Sequence, residues 1–255
     1  MSYDRGQQPV ELPNAEHLAL VLVLDVSASM NAPAGGSTCI SLLNKGVNDM
    51  ITALSNNPAT SKYVDLAIVT FGERAKVYQD FAPISQVSPV NLIANQGRTL
   101  VAQAINMALN KARDRTNRYT GGAWKPWIVL ITDGEFHDDI TSVPSNLDSS
   151  MSVADCVRDR ENKGKLRTFA LGVGNDFNPQ QLKIFTDRAF QIEGYNLAEF
   201  FNWLGKSVAV VSQSATSSGA GYGVTNAPPV PMPSNKDPNN PTQNIFNQAT
   251  GVVNM

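Results

Sequence analysis

Three short polar clusters hold the residues best suited to chemistry. Asp25-Val26-Ser27-Ala28-Ser29 directly follows an apolar run, and Thr132-Asp133-Gly134 directly follows another. Gly97-Arg98-Thr99 stands just before a helical pattern. Together they offer two carboxylates, Asp25 and Asp133, and three hydroxyls, Ser27, Ser29 and Thr99. All are hard oxygen donors, a set that suits Mg²⁺, Mn²⁺ or Ca²⁺ and not zinc. Each cluster alone has a plainer reading. Asp25-x-Ser27 is then a helix-capping turn, Thr99 an N-cap, and Asp133-Gly134 an ordinary turn. The metal reading rests on all three occurring together, each beside an element that would aim it.

Those elements follow from hydrophobic patterning. Leu18 to Leu24 is an unbroken apolar run of strand length, the mark of a strand buried on both faces. Ile40, Leu43, Val47, Met50, Ile51 and Leu54 recur at helical spacing. Further strands are expected over 64–71, 76–81 (a hairpin partner of the one before), 127–131, 167–173 and 190–192. Helices are expected over 40–54, 100–112, 153–162, 179–189 and 197–211. This alternation predicts an α/β fold: a doubly wound, mostly parallel six-stranded sheet with helices on both faces. In such a sheet ligands collect at the carboxyl ends of the strands, where the clusters fall.

The domain is expected over residues 16–213, behind a polar N-terminal arm, 1–15, that carries Pro9 and Pro13. Residues 214–255 differ in composition. They hold two charges, Lys236 and Asp237, and six prolines among much Gly, Ser and Asn. Too little apolar surface is available there to offset ordering entropy, so a disordered or extended tail is expected. Ile245-Phe246 and Val252-Val253 are the parts suited to docking, on a partner or on the domain.

Composition excludes several classes. The 255 residues carry 20 Lys+Arg against 22 Asp+Glu, a net charge of −2. That balance argues against a nucleic-acid binder, because phosphate backbones reward unpaired cations. Two histidines leave little room for a His-rich zinc site. Cys39 and Cys156 make no disulfide framework and fall in expected helices as buried, inert side chains. No apolar run approaches the roughly 20 residues that span a bilayer, and Met1 to Arg5 lead into no signal-peptide core. No membrane association and a cytoplasmic location are expected.

The spacing of the three clusters resembles the metal-ion-dependent adhesion site (MIDAS) of von Willebrand factor A domains: Asp-x-Ser-x-Ser after the first strand, Thr before a central helix, Thr-Asp-Gly after a later strand. Trp124-Lys125-Pro126 ahead of the Ile128–Asp133 segment, with Asp138-Asp139 after it, is similar to bacterial TerY-type proteins of tellurite resistance and chemical stress. The resemblance implies that Ser27 and Ser29 bind the cation directly, Thr99 directly or through water, and that Asp25 and Asp133 anchor it, often through waters. It implies Mg²⁺ first, with Mn²⁺ or Ca²⁺ as alternatives. It implies a partner protein offering an Asp or Glu to the open coordination position, and, from the TerY likeness, a kinase or phosphatase of the same operon.

One position departs from that family. Gly-Gly-Thr is commoner where this chain has Gly97-Arg98-Thr99. Arg98 would weaken the cation, grip a partner's carboxylate or phosphate bidentately, or point into solvent. The acidic run Glu135 to Asp139 would enlarge the site, shape a partner surface, or cap the next helix as a solvated loop. No phosphate-binding loop or nucleophile elbow is present, and Gly172-x-Gly174 lacks the third glycine of a dinucleotide site. Ser27 occupies the place where a phosphotransferase built on Asp25 would need a second acid. The expectation is therefore a non-enzymatic, metal-dependent protein-interaction module. The alternatives are an assembly protein using the fold and its C-terminal arm, and a Mg²⁺-dependent phosphohydrolase.

Overall fold

The first strand, β1 (Leu18–Asp25), is buried along its whole length. Its side chains alternate between two separate cores, as a pleated strand requires. Leu18, Leu20, Leu22 and Leu24 join one core, with α1 (Cys39–Asn56) and α6 (Leu197–Ser214) over it. Ala19, Val21 and Val23 join the other, under α3 (Ala102–Thr116), α4 (Val153–Asn162) and α5 (Pro179–Phe185). This is why the run reads as continuously apolar. The structure, a computed structural model, describes residues 17–94, 97–119, 123–174, 176–192, 197–214 and 246–248. The N-terminal arm and most of the tail lie outside them.

The remaining elements are a small hairpin, β2 (Pro33–Ala34) and β3 (Ser37–Thr38), the short α2 (Pro58–Ser61), β4 (Val64–Phe71), β5 (Lys76–Pro83), β6 (Trp127–Thr132), β7 (Arg167–Val173), β8 (Ala189–Ile192) and β9 (Phe246–Gln248). The main sheet has the order β5-β4-β1-β6-β7-β8-β9. β1, β4, β6, β7 and β8 run parallel; β5 and β9 are antiparallel to their neighbours at the two edges. The six expected strands are present, and a three-residue segment of the tail adds a seventh, paired from Phe246 to Ile192 through Gln248 to Phe190.

The chain leaves β1 toward β4 on one side, and β6 closes on its other side. That reversal opens a crevice beyond the carboxyl ends of β1 and β6. The register there aligns Leu24 with Ile131, so Asp25 and Thr132 come next to each other at the rim.

Most expected boundaries hold, with one correction. The helix expected to reach residue 189 stops at Phe185, and Ala189 opens β8. Thr186 is extended, at φ −157°. Its hydroxyl donates to the Thr168 carbonyl of β7 and accepts from the Arg188 amide. These bonds turn the chain into the sheet, and helical periodicity does not report them. Cys39 and Cys156 are buried and take part in no disulfide among the described residues. Among the described residues no helix is long and apolar enough to cross a membrane.

Candidate metal centre

Asp25 ends β1 with no solvent exposure. Its Oδ1 accepts the Ser27 amide at 2.8 Å, and its Oδ2 accepts the Thr132 hydroxyl at 2.6 Å. The carboxylate is thereby tied to its own loop and to the end of β6. Ser27 and Ser29 follow on the loop that enters a turn of 3-10 helix, Ala28–Asn31. The two hydroxyls lie 3.0 Å apart, and Ser29 Oγ donates to Asp133 Oδ1 at 2.7 Å. Ser27 is buried and Ser29 is exposed.

Thr99 is buried and arrives from a third direction. An ideal Cβ built on Gly134 would sit 3.5 Å from Ser29 Oγ and 3.8 Å from Thr99 Oγ1. All five expected donors, Asp25, Ser27, Ser29, Thr99 and Asp133, thus meet in the β1/β6 crevice. Among the described residues the Thr99 hydroxyl has no hydrogen-bond partner.

The Thr99 segment is held by residues whose role the sequence did not show. The Thr99 amide donates to His137 Nδ1 at 3.0 Å, and the His137 amide donates to the Thr99 carbonyl at 2.9 Å. The Leu100 amide donates to the Gly72 carbonyl after β4. Asp138 accepts the Val101 and Ala102 amides, one on each carboxylate oxygen, at 2.9 and 2.8 Å. These are orphan amides at the start of α3, satisfied from a loop some 36 residues away in sequence. The acidic run does cap a helix, but the preceding one; the following helix, α4, takes its cap from Ser152. No local capping pattern signals such a long-range cap.

Upstream, Asn44 and Asn48 on one face of α1 fasten the approach to Thr99. Asn48 exchanges two hydrogen bonds with the Val90 amide and carbonyl, and Asn44 does the same with Leu92. Side-chain amides here act as rungs of a ladder. Gly97 has φ +141°, and a Cβ there would lie 2.7 Å from Glu73 Cβ. Glycine is thus required at that position for two reasons. Arg98 is exposed and donates one long bond, 3.3 Å, to the His137 carbonyl. It leans on the acidic loop rather than on the crevice donors.

The electrostatics fit a cation. Burial pushes the Asp25 carboxyl up to about 6, against the lowering effect of its bonds from Ser27 and Thr132. The nearby Asp133 charge adds a smaller push the same way. Asp133 is also raised, mainly by burial, with Asp176 contributing repulsion. Two buried carboxylates to which, among the described residues, no cationic side chain is bonded are costly when ionised. A divalent ion removes that cost. The chemistry of the donors and the space at Gly134 both suit one. Among the described residues no three His, Cys, Asp or Glu side chains gather as a metal cluster; three of the five donors here are hydroxyls.

A family model described as the von Willebrand factor type A domain matches residues 20–135. That stretch runs from β1 past β6 and contains all five donors. No curated protein matches the chain. Among solved structures, the chain is similar to a von Willebrand factor type A protein from Catenulispora acidiphila, with 19% identity and a TM-score of 0.54 over 76% of this chain and 43% of that one. It is similar to the pilus adhesin SpaC from Lactobacillus rhamnosus GG, at 16% identity and TM-score 0.58, over 77% of this chain and 31% of the adhesin. It is also similar to a mutant of the PilB minor pilin from Streptococcus sanguinis, at 15% identity and TM-score 0.54, over 82% of this chain and 65% of the pilin. The chain spans less than half the length of the first two. Likeness at this level is likeness of fold, and the fold is that of a von Willebrand factor A domain.

Proposed function

We propose that the chain is a divalent-cation-dependent protein-interaction module and not an enzyme. The observation that carries this is the meeting of Asp25, Ser27, Ser29, Thr99 and Asp133 at the sheet's reversal point. Ser27, Ser29 and Thr99 would supply neutral oxygens, and Asp25 and Asp133 the negative charge. When bound, the cation supplies an electrophilic centre whose charge the neutral ligands leave incompletely compensated. An Asp or Glu of a partner protein then completes it. Mg²⁺ fits this oxygen set first, with Mn²⁺ and Ca²⁺ as alternatives. A non-enzymatic role is supported by the surroundings: Asp25 is tied by Ser27 and Thr132, and Asp133 by Ser29, so neither is poised as a nucleophile or free base.

The test is isothermal titration of Mg²⁺, Mn²⁺ and Ca²⁺ into metal-stripped wild type and Asp133→Ala, followed by pull-down with and without chelator. Saturable binding lost in the variant, with a partner released by chelator, supports the module. Absence of binding by wild type overturns it.

The finer setting we propose is a cytoplasmic tellurite or chemical-stress response, with a kinase or phosphatase of the same operon as partner. It rests on the similarity carried by Trp124-Lys125-Pro126 and Asp138-Asp139. Unchanged tellurite tolerance in a deletion strain would remove it.

A second reading, assembly through the C-terminal arm, is favoured by one observation: Phe246–Gln248 pairs with the edge of β8. In that case Asp25→Ala leaves assembly intact, while deletion of 214–255 abolishes it.

A further inference from the structure

A pocket of about 410 Å³ lies at the opposite pole of the domain from the cation site, where β6 and β7 begin. Its wall is built from the end of α3, the segment before β6, and the turn between α4 and β7. Arg113, Lys125, Arg160 and Lys165 line it, and none of the described lining residues is Asp or Glu. Leu109, Pro126 and Leu166 add apolar surface. The size falls within the range of small-molecule sites, and the lining mixes apolar with polar side chains as theirs does.

The charge is greater than the fold needs. Cations near helix C-termini offset the macrodipole, and Arg113 and Arg160 lie in the last turns of α3 and α4. The last carbonyls of α4, however, already accept the backbone amides of Lys163, Gly164 and Lys165. Arg113 is paired with Asp114. Arg160 and Lys165 have no carboxylate partner among the described residues. Lys125 is crowded: an ideal Cβ on Gly164 would lie 3.4 Å from its Nζ, and burial followed by repulsion from Arg167 and Arg188 pulls its ammonium below the usual range. Glu161 bonds Arg188 at 2.7 Å, and its charge also favours the Arg167 cation. A chain of net charge −2 thus concentrates cations around one concavity. Arg160 and Lys165 line the pocket without a carboxylate partner among the described residues, and an anion would supply one.

We infer that this pocket is a binding site for a small organic anion, a phosphate or carboxylate attached to an apolar body, with Arg160 and Lys165 gripping the charged group and Leu109, Pro126 and Leu166 contacting the body. The site is independent of the cation-dependent function proposed above.

The test uses the full chain and four probes: phenyl phosphate, benzoate, inorganic pyrophosphate and benzyl alcohol, each followed by heteronuclear chemical-shift titration. Phenyl phosphate or benzoate should saturate, with shifts at Leu166 and Ala112, and the other two should bind more weakly or not at all. The arms with phosphate and carboxylate tell which head group is preferred. Arg160→Gln with Lys165→Gln should weaken binding roughly tenfold or more, with unchanged thermal midpoint and unchanged Mg²⁺ titration. Equal binding by the double variant, no saturation by either aromatic anion, or pyrophosphate and benzyl alcohol matching them, each overturns the proposal.

Discussion

The Thr132 hydroxyl donates to Asp25 Oδ2 at 2.6 Å across the junction of two parallel strands. Asp25 has no exposure to solvent; the Thr132 hydroxyl, the Ser27 amide and the Ser27 side chain are the hydrogen-bond partners that hold its carboxylate. Thr132 itself accepts the Gly134 amide at 3.2 Å. One hydroxyl therefore couples the position of Asp25 to the loop that carries Asp133. Thr132→Val keeps the shape and removes the donor. Leaving a buried carboxylate oxygen unmatched costs about 1–3 kcal/mol, to be read as a lower urea midpoint in metal-free protein. The loss should shrink when saturating Mg²⁺ is present.

The raised Asp25 carboxyl sets a pH dependence. Its folded value, about 6, lies above the ordinary 3.8, so the folded state binds the proton more tightly than the unfolded state. Metal-free stability then rises as pH falls from 7 through 6 and levels off near 4, by roughly 2–3 kcal/mol from this group. Asp133, shifted in the same direction, adds to it. Asp65 and Asp80 are lowered and stay ionised over this window. Denaturation of chelator-treated wild type between pH 7 and 5 should show the rise, and Asp25→Asn should flatten most of it. Bound cation reverses the trend, because protons compete for the same carboxylates; affinity should fall roughly tenfold per pH unit below 6.

Gly134→Ala is a test of space rather than of charge. Its Cβ would reach Ser29 Oγ and Thr99 Oγ1 at ordinary contact distances, 3.5 and 3.8 Å. The fold therefore tolerates it, while the room between those hydroxyls is filled. The expected outcome is a thermal midpoint within a degree or two of wild type and Mg²⁺ affinity reduced at least about tenfold by titration calorimetry.

Asp138→Ala removes both capping bonds at the start of α3. Loss of a cap costs about 1–2 kcal/mol, measured by chemical denaturation. Thr99, two residues ahead of the first capped amide, loses part of its support, so cation affinity should fall as well. His137→Ala, which spares the cap but removes the Nδ1 acceptor of the Thr99 amide, should lower affinity with a smaller loss of stability. Equal effects on both quantities by both variants would show that α3 and the Thr99 segment move as one body.

The fold was largely legible because its central strands are buried on both faces, which writes them as plain apolar runs, and because α1 keeps a clean helical stripe. The proposed donors were legible because four of the five, Asp25, Ser27, Ser29 and Asp133, sit next to such a run, and Thr99 stands before a helical pattern. What holds them was not. Thr132 stood inside a noted cluster, yet its hydroxyl turns to Asp25, a relationship set by strand register. Asp138, His137 and the Asn44/Asn48 rungs act on backbone far away in sequence, and composition carries no trace of that. Asp176, which pushes Asp133 upward, belongs to a loop after β7 that no motif marked. Helical periodicity runs past the end of α5 because a side-chain bond from Thr186 to β7 ends the helix, with no glycine or proline to announce the change.

The two margins of the sheet have a consequence for behaviour in concentrated solution. β5 is out of step with β4 at two places, between Leu66 and Ile68 and again between Ile68 and Val69, and it carries an exposed Lys76 and ends at Pro83. β9 is only three residues long. Among the described residues neither border is the long flat template on which copies of a chain stack into fibrils. Crowding should therefore leave this domain dispersed, and encounters between copies should be governed by its loops rather than its strands.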